Sequence, residues 1–127
     1  MDQNEKHELL LYRLLNLDQN VRFAAISDKD GNLLARAVRP DLQTILTPDE
    51  TKNFMKWTSE AWNLRRAHHP KLGMELYNIS VFEKVRRATF ALGDDRLVLA
   101  TIDNKGGMMQ ILDKILNLVL YKDYTHD

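Results

Sequence analysis

The chain of 127 residues contains no cysteine. That absence excludes disulfides, thiolate metal sites, iron–sulfur clusters and a cysteine nucleophile. Proline and glycine are scarce, at three and five residues. Each falls where the pattern changes: Pro40, Pro48 and Pro70 at the ends of regular segments, Gly31, Gly73, Gly93, Gly106 and Gly107 in turns or beside helices. Neither sign of charge is in excess, with Lys+Arg at 18 and Asp+Glu at 18. A dedicated nucleic-acid or membrane-surface protein would show a basic surplus, so neither partner is expected. No long apolar run is free of charge: the richest, residues 108–121, holds Asp113, Lys114 and Asn117 and is no membrane span. Residues 1–6 are polar and carry no signal region, so a cytoplasmic location is expected. There is no GxGxxG and no GxxxxGK[ST], and none of Ser27, Ser59 and Ser80 sits in a G-x-S-x-G elbow.

What is present is ordinary for a globular protein: 44% hydrophobic and 28% charged residues. A chain of this length makes one domain, here residues 1–127 with a core from about 5 to 120, and buries roughly two thirds of its unfolded surface. Residues 4–17 read as a helix, with Leu10, Leu14 and Leu17 on one face and Asn4 as a soft cap. Residues 21–27 read as a buried strand and 33–38 as its return. Asp28-Lys29-Asp30-Gly31-Asn32 forms the turn between them. Thr47-Pro48-Asp49-Glu50 is a helix start with an N-cap, a proline at the first position and a capping box. That middle helix is expected to run to about 68. Phe54, Trp57, Ala61, Leu64 and His68 form its stripe, with Met55 and Trp62 beside it.

Strands are expected at 74–82, 85–92 and 96–102, joined by Glu83-Lys84 and Gly93-Asp94-Asp95. A last helix spans 108–120, and 121–127 is a polar tail. The strand at 96–102 has the most continuous apolar run and reads as sheet centre. The strand at 74–82 reads as an edge. The order helix, two strands, helix, three strands, helix predicts an α+β domain with a single five-stranded antiparallel sheet. The first and last helices are expected on one face and the middle helix on the other.

The motifs that could carry chemistry have plain structural readings. DKDGN opens like a calcium loop, but the twelfth position is Arg39 where a bidentate Glu is needed. His68 and His69 point about 100° apart on a helix, and His7 and His126 lie at the termini. Gly106-Gly107 reads as packing room before the last helix. No catalytic residue, cofactor or metal site is expected. Arg86 and Arg87 point to opposite faces of their strand, so one lies beneath the middle helix near Glu60, Glu75 or Glu83. Salt bridges at the helix–sheet seam are one reading of these arginines with Arg65. A site for a small anion at Arg65, Arg86 and Arg87 is the other. Trp57 and Trp62, five residues apart, cannot share one narrow stripe: one can pack on the sheet while the other is left for a partner, and a wholly internal role for both is the alternative reading.

The hairpin VRFAAISDKDGNLLARAV, the amphipathic middle helix and DDRLVLATID before the final helix resemble the roadblock/LC7 domain, a profilin-like fold related to the longin domain. NVRFAAISDKDG, LTPDE, AWNLR, FEKVRRAT and ILDKIL also resemble a family of small archaeal proteins with no established activity. The roadblock likeness implies a non-catalytic homodimer, regulatory or scaffolding, that binds a small GTPase or a larger scaffold. It implies a dimer joined through residues 54–64 and 74–82, which here present Phe54, Met55, Trp57, Trp62, Leu76 and Tyr77. Any GTPase is supplied by another chain. The alternative expectation is a sensor that holds a small molecule or anion at the helix–sheet seam.

Overall fold

The computed structural model describes residues 1–42 and 45–120. The tail at 121–127, with His126, lies outside them. The elements are α1 (Gln3–Leu15), β1 (Val21–Asp28), β2 (Leu33–Val38), α2 (Pro48–Arg65), a 3-10 turn (Arg66–His68), α3 (His69–Leu72), β3 (Tyr77–Val81), β4 (Val85–Leu92), β5 (Arg96–Asp103) and α4 (Met108–Val119). The five strands form one antiparallel sheet in the order β2-β1-β5-β4-β3. The centre is therefore β5 and the edges are β2 and β3. No helix among the described residues is long and apolar enough to cross a membrane.

Strand alternation divides the core into two layers. Val98, Ala100 and Ile102 of β5, with Ala88, Phe90 and Leu92 of β4, face α1 and α4 and form the larger core. Ala24 and Ile26 of β1 join them. Register slips between Val21 and Phe23, which lets Val21 reach the same layer. The opposite face carries Phe23, Ala25, Leu97, Leu99 and Ala91, covered by α2 through Met55 and Trp62.

Three local expectations need correction. Helix α1 starts earlier than Asn4: the Asp2 carboxylate accepts from the Glu5 N–H at 2.8 Å, and Glu5 reaches back to the Asp2 N–H, a full capping box. It ends at Leu15, two residues short of the expected 17. The middle helix tightens into a 3-10 turn after Arg65, and Pro70 then sits in the first turn of α3, where a missing N–H costs nothing. Finally, the buried line of α2 is Thr51, Met55, Ser59 and Trp62. Trp57 and Leu64, from the expected stripe, are 63% and 78% exposed.

The phase of α2 follows from how closely it crosses the β1–β2 turn. The Ser59 hydroxyl donates to the Lys29 carbonyl, and Asn63 Nδ2 donates to the same oxygen at 2.8 Å. Gly31 has φ +84°, and a Cβ there would lie 2.7 Å from Lys56 Cα. The small Ser59 thus sits on the inward line because backbone meets backbone there. The turn itself is tied by the Asp28 carboxylate, which accepts from the N–H groups of Asp30 and Asn32 at 2.9 Å each.

Candidate functional site: an open sheet edge and a buried arginine

Two features stand out once the layers are in place. The first is the free side of β3. Tyr77, Ile79 and Val81 pair opposite Phe90, Ala88 and Arg86. The Ala91 N–H donates to the Leu76 carbonyl at 3.0 Å, and the Phe82 N–H donates to the Val85 carbonyl at 2.8 Å. Antiparallel ladders alternate, so positions 76, 78, 80 and 82 bond inward. The N–H and C=O groups of Tyr77, Ile79 and Val81 therefore face outward, away from β4. Apolar side chains crowd the same margin. Leu72, Met74, Leu76, Tyr77, Val81 and Phe82 are all exposed, as is Trp57 on the neighbouring helix.

The residues singled out from the sequence divide between surface and core. Trp57, Leu76 and Tyr77 are exposed, Tyr77 with its ring 6.0 Å from that of Phe90. Met55 and Trp62 are buried within the chain, at 2% and 1% exposure. Phe54 is half-buried, edge-on to Phe82 at 6.4 Å. The exposed Val81, Phe82, Leu72 and Met74 were not singled out. The alternation of β3 could have pointed to Val81.

The second feature is the arginines. Arg65 Nε donates to both carboxylate oxygens of Glu75 at 2.9 Å, and its guanidinium lies 5.7 Å from the Trp62 ring. Arg86 points to the α4 face, where it donates to the Asp103 carbonyl at 2.9 Å and to the Lys105 carbonyl at 3.3 Å. Arg87 points the other way, beneath α2. It is 8% exposed, stacks on Phe54 at 4.0 Å, and its Nε has no hydrogen-bond partner among the described residues. No carboxylate among the described residues forms an ion pair with it. Burial lowers its pKa to about 10, so it stays charged at neutral pH. The stacking offsets about 2 kcal/mol. Burying an unpaired cation costs several.

Arg87 also borders both cavities near α2. The smaller, about 240 Å³, has a mixed polar and apolar lining and lies between α2 and β3, with Trp57, Arg65, Asn78, Ser80 and Thr89 on its walls. The larger, about 370 Å³, opens at the start of α2 and is lined by Phe23, Val38, Ile45, Leu46, Phe54 and Phe82. Thr101, opposite Arg87 in the ladder, and Thr51 of α2 also line it. Arg65 and Arg87 thus share one cleft, and Arg86 is on the far side of the sheet. His69 Nε2 accepts from the Glu75 N–H at 3.3 Å, and His68 is exposed. No cluster of metal-ligating side chains occurs among the described residues.

Solved structures match this arrangement along nearly the whole chain. The MglB structure with a tetrameric arrangement superposes with a TM-score of 0.79 at 13% identity, covering 99% of this chain and 90% of that one. The fold is that of roadblock/LC7 domains. The gliding protein MglB from Thermus thermophilus gives a TM-score of 0.70 at 12% identity, covering 96% of this chain and 95% of that one. A roadblock/LC7 domain from Streptomyces avermitilis gives 0.66 at 13%, covering 94% and 92%. No protein-family model matches the sequence, and no curated protein is similar to it. At these identities the likeness is one of roadblock architecture.

Proposed function

We propose that this chain is a non-catalytic, homodimeric interaction module of roadblock type, regulatory or scaffolding in role, acting in the cytoplasm as a single domain. The observation that carries this reading is the open margin of β3 beside the exposed indole of Trp57. An uncovered strand edge flanked by apolar side chains is a template for pairing with another chain. A second copy docked antiparallel on β3 would satisfy the outward groups of Tyr77, Ile79 and Val81 and extend the sheet to ten strands across a two-fold axis. Trp57, Leu76 and Tyr77, with Phe54 at the flank, would then be covered, over Met55 and Trp62 in the core. The assembled surface would receive a small GTPase, which brings its own nucleotide site. The five segments quoted above support a narrower kinship with the small archaeal proteins.

Light scattering on size-exclusion fractions tests self-association. A dimer at micromolar concentration is expected. Ile79→Pro removes an outward N–H and no ladder bond, so it should give a folded monomer, as should Trp57→Glu. A monomeric wild-type chain at all accessible concentrations, or a dimer indifferent to both changes, would refute the interface. Binding of GTP-loaded small GTPases to wild type and to Ile79→Pro, compared by calorimetry, tests the partner.

A further inference from the structure

We propose that the larger cavity is a binding site for a small aliphatic carboxylate, its head on the Arg87 guanidinium and its chain along Phe23, Val38, Ile45, Leu46 and Phe82. This goes beyond the self-association reading and does not rest on it. Four observations converge. The cavity holds about 370 Å³, room for roughly a dozen non-hydrogen atoms at about 30 Å³ each. Its accessible lining is mostly apolar, and three of its apolar side chains are well exposed: Val38 at 39%, Ile45 at 53% and Phe82 at 46%. Its one deeply buried cation, Arg87, has an Nε without any acceptor and no ion-pair partner among the described residues. The other cations of its lining are Arg22, bonded to Asp103 at 2.9 Å, and the exposed Lys84, and the carboxylate on the rim, Glu83, makes no ion pair with Arg87.

The chemistry of the occupant follows from these groups. A planar carboxylate matches the guanidinium fork and would supply the missing acceptor. The buried hydroxyl-bearing residues Thr51 and Thr101 lie on the same wall, with Thr101 directly across the ladder from Arg87. An aliphatic carboxylate is favoured over inorganic phosphate because most of the lining is apolar, and phosphate would leave that surface uncovered. An uncharged alcohol of the same length would leave the guanidinium unpaired. Pockets of this kind, mostly apolar with one placed polar group, are the usual form of small-ligand sites. The cavity sits at the N-terminal end of α2, and Phe54 and Phe82 on its wall also flank the β3 margin.

The test uses the full chain, with octanoate as the probe. The Arg87 Nε–H resonance is followed by NMR during titration, with 1-octanol, acetate and phosphate as comparisons. Octanoate is expected to shift that resonance saturably, with at least tenfold tighter binding than each comparison. The same titration on Arg87→Met, followed at the Thr101 and Val85 amides, should show at least a tenfold loss. No saturable shift with octanoate up to about 10 mM, where a ligand of this size should bind, overturns the site. Equal affinity for octanol, acetate or phosphate, or undiminished binding by Arg87→Met, overturns it as well. The wild-type titration decides the matter even if the Met variant does not fold.

Discussion

At His7, Arg96 Nη1 lies 3.0 Å from the ring Nε2, and a guanidinium can only donate. The ring therefore accepts there and is neutral, with its proton on Nδ1, which has no partner among the described residues. Burial first, and then the Arg96 charge, hold the His7 pKa below its usual 6.5. The unfolded chain binds that proton more tightly than the folded one. Stability from His7 is thus complete above about pH 6.5 and is lost as the pH falls through the depressed folded value. Urea unfolding of wild type and His7→Gln between pH 7.5 and 5 should show it. The wild type should lose stability more steeply, by at most about 1.4 kcal/mol per pH unit. Gly31 is constrained twice, by its positive φ and by Lys56 Cα. Gly31→Ala should cost about 2–4 kcal/mol in chemical unfolding, from left-handed strain plus overpacking. Gly31 could be read from the sequence as a turn glycine, but its contact with α2 could not, because it depends on how a distant helix docks. The same holds for Arg87. Strand parity showed that Arg86 and Arg87 must part, yet that no carboxylate among the described residues pairs with Arg87 emerges only from the packed layers.

At the scale of elements, local chemistry was the most legible part. Thr47, Pro48 and Glu50 start α2 as their sequence says, with the Thr47 hydroxyl accepting from the Glu50 N–H at 3.1 Å. The phase of the same helix was not legible. Counting apolar residues favours Trp57 and Leu64, but docking over the Lys29 carbonyl and Gly31 turns Met55 and Ser59 inward. The two tryptophans show the limit plainly: their spacing separates them, and only packing decides that Trp62 goes in. Arg39 joins elements that sequence could not connect. It donates to the carbonyls of Val21, Leu15 and Asp18 at 2.6–2.7 Å, tying the end of α1 to β1. Arg39→Ala would leave three carbonyls without that donor and should destabilise by about 3 kcal/mol, measured by urea unfolding at constant m-value. Arg39→Lys should recover only part, since one ammonium cannot span three acceptors.

For the whole molecule, the sheet order with β5 central and β3 at an edge was legible from the continuity of the apolar runs. The same sheet meets two helices on one face and one on the other, and its outermost strand carries the margin proposed for self-association. If that margin pairs, the melting temperature of the wild type should rise with protein concentration, as mass action requires, and that of Ile79→Pro should not. Differential scanning calorimetry over a hundredfold concentration range reads the difference. The alternation along β3 has one further consequence. Amides of Asn78 and Ser80 point into the ladder and those of Tyr77, Ile79 and Val81 point out. In a dilute monomer, hydrogen–deuterium exchange along this strand should therefore be a comb, slow at even positions and fast at odd ones. Pairing two copies would erase the comb by slowing the odd positions alone. The strand thus carries its own five-residue gauge of assembly, readable without any label or mutation.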